Sequence, residues 1–219
     1  MLRYLLVFLT FLIGCSGYHF RSQKNPLEYL DIKSLAIPMF VNRSVLPSVN
    51  GPFTSEFSLM LSGYSGLKVS PGDGKDTDAV LLGIISSPLF RKDTVTIISE
   101  KFTSGVLQPS MGERRPLYLP FNKQNHLKLR LILIKKPSKE LMEILSSENG
   151  ELIKSHPKII FDRMMDVTLS YTGSLDTNES LDDGGVLNFT KNHAFLSANV
   201  KKMAKIAANR FKEEMINAF

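Results

Sequence analysis

Apolar and polar residues alternate in some stretches of this chain and recur at helical spacing in others. Lys33 to Val41 (KSLAIPMFV) alternates, with Leu35, Ile37, Met39 and Val41 on one face, and predicts a strand. Pro38 has no N–H to give a ladder, so this strand lies at an edge or turns that position outward. Phe53, Phe57, Met60, Leu61 and Tyr64 then fall at helical spacing, with Pro52 in the first turn and Gly63 and Gly66 as stops. That pattern predicts a short amphipathic helix. Leu67 to Val69 reads as a brief strand and Pro71 to Gly74 as a turn. Asp78 to Ser87 (DAVLLGIISS) is a strand with its centre apolar on both faces, and Thr94 to Ser99 is a candidate to pair with it.

Glu100 to Asn125 holds Pro109, Gly112, Pro116 and Pro120 and shows no period, which predicts a long inserted loop. His126 to Lys135 alternates strictly, setting Leu127, Leu129, Leu131 and Leu133 against Lys128, Arg130, Ile132 and Ile134. A helical turn is expected over Ser138 to Leu145, and a strand over at least Asp166 to Tyr171. Asp176 to Gly185 is a polar, acidic loop. Leu196, Val200, Met203, Ala207 and Phe211 form the stripe of a last helix, with Lys201, Lys202, Lys205, Asn209 and Lys212 around it. The order of elements predicts an α+β fold, two helices packed on one face of a mixed β-sheet in a two-layer sandwich.

The N-terminus points to a compartment. Arg3 precedes an apolar run from Leu5 to Ile13, followed by Gly14 and Cys15, the only cysteine of the chain. A cation, a short apolar run and a small residue make a secretory signal, and the run is too short to span a hydrocarbon core of about 30 Å. Leu12-Ile13-Gly14-Cys15 resembles a bacterial lipobox. That resemblance implies cleavage before Cys15, a diacylglycerol on its thiol and an acylated new terminus. Acyl chains at about 0.8 kcal/mol per buried CH₂ make such an anchor permanent. Ser16, where Asp would signal retention, implies the outer membrane. The expected organisation is a signal over 1–14, an acylated tether over 15–32 and one domain over 33–219 with its insertion near 100–125.

Composition narrows the chemistry. Of 219 residues 43% are hydrophobic and 22% charged, which is globular. One cysteine excludes a disulfide framework or a Cys-rich metal site. Lys and Arg number 27 against 21 Asp and Glu, and removing 1–14 loses only Arg3, so the mature balance is 26 − 21 = +5. Such a surface favours anionic partners. The four histidines lie far apart without ligand spacing, and there is no nucleophile elbow, Walker loop or dinucleotide fingerprint. Gly72-Asp73-Gly74-Lys75 lacks the strand-to-helix context of a phosphate loop. Asp176, Asn178, Ser180 and Asp182 imitate the start of a calcium loop, but Leu181 and Leu187 stand where Gly and Glu belong. No residues support an enzyme, and neither a cofactor nor a metal is expected. Export away from the cytoplasm disfavours nucleic acid.

Three segments together resemble the lipopolysaccharide-assembly lipoprotein family LptE, in its divergent non-enteric branch. They are Gly14 to Arg21 (GCSGYHFR), Leu35 to Ser44 (LAIPMFVNRS) and Asp76 to Ile85 (DTDAVLLGII). The likeness covers residues 14–99, and more loosely 126–135 and 190–219. It implies an α+β domain inside an LptD-type outer-membrane β-barrel, assisting the barrel's assembly and helping to deliver lipopolysaccharide to the outer leaflet. Arg91, Lys92, Lys128, Arg130, Lys135 and Lys136 are the cations available for lipopolysaccharide phosphates. Two other readings compete: a periplasm-facing lipoprotein that binds a lipid or small ligand in its own cavity, and a scaffold or pilotin of another envelope complex.

Overall fold

The computed structural model describes residues 23–74, 76–101, 118–147, 150, 153, 156–173 and 189–218. Two short strands, β1 (Gln23–Lys24) and β4 (Tyr64–Ser65), pair with each other. The main sheet contains β2 (Ser34–Ile37), β3 (Val41–Arg43), β5 (Lys68–Pro71), β6 (Ala79–Ser86), β7 (Val95–Lys101), β8 (Tyr118–Lys135) and β9 (Ile159–Thr172). Three helices accompany it: α1 (Asn50–Ser62), α2 (Lys139–Ser146) and α3 (Phe189–Ala218). The predicted α+β architecture with a mixed sheet is the one observed.

β2 lies between β5 and β6, parallel to both. β8 runs antiparallel to β6 and then to β7, which continue one another along the same side of it, while β9 lines its other side. The lateral order is therefore β5, β2 with β3, β6 with β7, β8, β9. Strict alternation sends Leu127, Leu129, Leu131 and Leu133 of β8 to one face, where α1 and α3 cover them. A column of rings crosses that layer: Phe40 to Phe57 at 5.3 Å, Phe57 to Phe211 at 5.6 Å, and Phe211 to Phe161 at 5.4 Å between centroids. It ties β3's approach, α1, α3 and β9 into one core. On the reverse face Leu82, Ile84, Ile132 and Ile134 are covered by Leu141 and Leu145 of α2. The expected turn over Ser138 to Leu145 is thus a complete helix, its first turn capped by the Ser138 hydroxyl, which accepts from the Leu141 N–H.

Five local expectations change. The Thr94 to Ser99 segment pairs, from Val95 onward, with β8 rather than with the DAVLLGIISS strand. Leu27 and Ile32 of the expected tether are fully buried in the core. Three further segments depart from their predicted form. The strand predicted over Lys33 to Val41 is broken at Pro38 into β2 and β3. Ala36 pairs with Val80 and Val41 with Ile84, five residues against four, so one residue is extruded as a bulge. The bulge reverses the alternation: Phe40 is 1% exposed and Met39 60%. Gly83 makes room for this, since a Cβ there would overlap the Phe40 ring. The loop expected from Glu100 to Asn125 is strand at both ends, because β7 reaches Lys101 and β8 begins at Tyr118. Pairing with β7, joined by β9 from Asn122, outweighs the lack of a strand period, and Pro120 is accommodated at a register shift opposite Ser99. β9 extends back to Ile159, again because β8 offers it a partner throughout. Residues 102–117, the acidic loop over Asp176 to Gly185, and Cys15 with its signal lie outside the described residues.

Candidate lipid-contacting surface

The six candidate cations do not form one patch. Lys128 stands opposite Ser86, and Lys135 opposite Ala79, at the two ends of the β6–β8 ladder. Seven residues of strand separate them, about 23 Å.

Arg130 is a correction. It is 6% exposed, and its guanidinium is consumed: Nε and Nη2 donate to the Asp162 carboxylate at 2.9 and 2.5 Å. Nη1 and Nη2 also donate to the carbonyls of Gly150 and Ile153 at 2.9 and 3.2 Å. Its position on the non-leucine face of β8 looked solvated, but α2 and the segment after it cover that face. Arg130 fastens this segment to β8 and β9 and is unavailable to an external phosphate.

At the Ala79 end, the Lys135 ammonium donates to the Leu30 carbonyl at 2.6 Å and is half-buried. Lys136 is exposed, and its N–H donates to the Asp78 carbonyl at 2.8 Å. Asp78 is the clasp there. Its carboxylate accepts from the N–H groups of Lys33 and Ser34 at 2.9 and 2.8 Å and from the Ser34 hydroxyl at 2.8 Å. The Lys33 N–H, then the Ser34 groups and the charge of Lys136, hold this carboxyl below the usual carboxylate range.

At the other end the chain leaves the sheet altogether. Ser86 pairs with Lys128 and Val95 with Asn125, so residues 87–94 stand against only His126 and Leu127. The base of this excursion is fixed: Val45 N–H donates to Ser87 Oγ at 3.1 Å, and Thr94 is fully buried. Near its top, Asp93 N–H donates to the Phe90 carbonyl at 2.9 Å, closing a turn. The apex carries Leu89, 86% exposed, and Phe90, 58% exposed, followed by exposed Arg91 and Lys92. Lys92 Nζ lies 5.7 Å from the Phe90 ring centroid. Two large apolar side chains held in water forgo about 1.5–3 kcal/mol each relative to burial. Arg91 and Lys92 are candidates from the sequence pattern; Leu89 and Phe90 emerge only from their exposure. The signal available was Pro88-Leu89-Phe90, an apolar pair directly after a proline that ends the DAVLLGIISS strand.

A concave space of about 290 Å³ lies on the reverse face between the Pro38 bulge and α2, lined by Pro38, Met39, Val41, Leu82, Pro137 and Met142 with a polar rim.

No protein-family model matches the chain, and no curated protein matches it. Similar solved structures include a minor lipoprotein from Acinetobacter baumannii at 12% identity and TM-score 0.37, covering 84% of this chain and 90% of that one. Rare lipoprotein B from Shewanella oneidensis is similar at 9% identity and TM-score 0.34, over 83% and 95% of the two chains. A lipoprotein from Neisseria meningitidis is similar at 12% identity and TM-score 0.32, over 78% and 97%.

Proposed function

We propose that this protein is an outer-membrane lipoprotein, anchored through Cys15 on the periplasmic side, that plugs and assists assembly of an LptD-type β-barrel and helps deliver lipopolysaccharide. The observation that carries the reading is the pairing of the two motif strands. LAIPMFVNRS and DAVLLGII lie side by side, Leu35 against Ala79 and Val41 against Ile84, with the bulge and Gly83 shaped to one another. Two segments that resemble one family are thereby a single structural unit. The role is binding, with no covalent step. Arg91 and Lys92 supply cations beside an apolar apex, which suits an amphiphile bearing phosphates; Lys128, Lys135 and Lys136 are further contacts.

The test is a mild-detergent pulldown of the tagged protein from outer membranes, followed by mass spectrometry. A stoichiometric large β-barrel is the expected companion; recovery of the lipoprotein alone, or with another machine, overturns the reading. The groove beneath α2 favours the second reading, a lipid or small ligand held within the monomer. Under that reading, organic extraction of the purified protein yields a stoichiometric ligand that is lost in Leu82→Trp, which fills the groove.

A further inference from the structure

The excursion over residues 87–94 has a property that barrel occupancy does not require. Its apex presents Leu89 and Phe90 to solvent on a fixed base, at 86% and 58% exposure. Val45, 48% exposed, adjoins that base through its bond to Ser87. A cation pair follows directly, with one ammonium against the ring of the exposed phenylalanine. Asp93, which is exposed, is the single acid of the excursion against these two cations. An aromatic and an aliphatic side chain at the tip, with cations one and two residues behind, match the depth profile of a membrane interface. Rings and aliphatic groups lie at the acyl boundary, and Arg and Lys lie among the phosphates.

We propose that the Leu89–Phe90 apex inserts into the hydrocarbon boundary of an anionic phospholipid bilayer while Arg91 and Lys92 engage its headgroup phosphates. The occupant follows from charge and depth together. An apolar protein groove would take Leu89 and Phe90 but leave Arg91 and Lys92 with only Asp93 as counter-charge, whereas an anionic phospholipid surface satisfies both cations and both apolar side chains. This interaction is independent of any barrel and of lipopolysaccharide.

The chain contains no tryptophan, so Phe90→Trp in the full-length protein creates a sole indole emitter at the apex. Leu59→Trp is the control, because Leu59 is 71% exposed on α1, outside the excursion, and is carried along by any N-terminal anchor. The vesicles contain phosphatidylethanolamine and phosphatidylglycerol with brominated acyl chains and no lipopolysaccharide. The expected result is a blue shift and bromine quenching of the indole in Phe90→Trp, with the emission of Leu59→Trp unchanged. Adding Arg91→Gln and Lys92→Gln to Phe90→Trp should reduce partitioning of the apex roughly thirtyfold, from two cations near the surface. Thermal unfolding matching the parent checks that the variants fold. Emission of Phe90→Trp that stays at its solution wavelength overturns the proposal, as does equal quenching of Leu59→Trp. A response that appears only when lipopolysaccharide is added also overturns it, and leaves the transport reading standing. Conversely, loss of barrel co-purification while the Phe90→Trp apex still inserts removes the transport reading alone.

Discussion

Met39 and Phe40 are neighbours in sequence and opposites in environment, and mutation should separate them sharply. Phe40→Ala removes a buried ring stacked near Phe57 over Gly83, and is expected to cost about 3–5 kcal/mol. Met39→Ala, at a 60% exposed site, should stay within about 0.5 kcal/mol. Urea unfolding of both variants checks the contrast, and equal costs would contradict the bulge. Arg130→Ala strands the Asp162 carboxylate, whose side chain is only 20% exposed, and should cost about 3 kcal/mol or more. Arg130→Met with Asp162→Leu should recover much of that loss, since neither charge remains. Asp78 makes stability depend on acid. Its folded pKa lies below the unfolded value, so its contribution is complete above the ordinary carboxylate range near pH 4 and disappears as pH falls through the lowered folded value. Asp78→Asn should lose about 1 kcal/mol at neutral pH, a modest figure because the carboxylate is largely solvated. The variant should also flatten the acid limb of a thermal-unfolding profile.

At the level of elements, β8 organises the molecule, and pairing rather than local propensity decides where several strands begin and end. Pairing with β7 on one side, joined from Asn122 onward by β9 on the other, draws the stretch from Tyr118 to Asn125 into the sheet although it shows no strand period. Its inner face was legible from its four leucines alone. Its outer face was not, because Ile132, Ile134 and Arg130 acquire their roles from α2 and the residues that follow. α3 is joined to the strand layer by polar contacts as well. Asn199 accepts from Asn125 at 3.0 Å and donates to the Ser170 carbonyl at 3.3 Å, and Arg210 donates to the Asp166 carbonyl at 2.9 Å. Asn199→Ala should therefore cost about 1–3 kcal/mol, because it leaves the fully buried Asn125 amide without that acceptor. Hydrogen exchange of that variant should show the first half of α3 losing protection before α1.

For the whole molecule, the separation of the cations governs how they act. Charge reversal of Arg91 and Lys92 and of Lys135 and Lys136 falls at opposite ends of a ladder, so the two effects on lipid binding should add within about 0.5 kcal/mol. A strong coupling between the pairs, measured in a double-mutant cycle, would mean that one ligand bridges both ends. Cys15→Ala is expected to leave the protein in the periplasm or as precursor; unaltered membrane fractionation of that variant would remove the anchor.

Periodicity by itself determined the helix carrying Phe53 and Phe57, the stripe of α3, the leucine face of β8 and the two-layer α+β plan, because each depends on which residues share a face. Tertiary structure alone decided the bulge at Pro38, the burial of Arg130 and the exposure of Leu89 and Phe90. Each of these depends on what a distant segment supplies: Gly83 leaves space for a ring, Asp162 and two carbonyls complete a guanidinium, and among the described residues no strand covers the apex. A local pattern records the faces of an element, while the partner that meets each face is set by the rest of the chain.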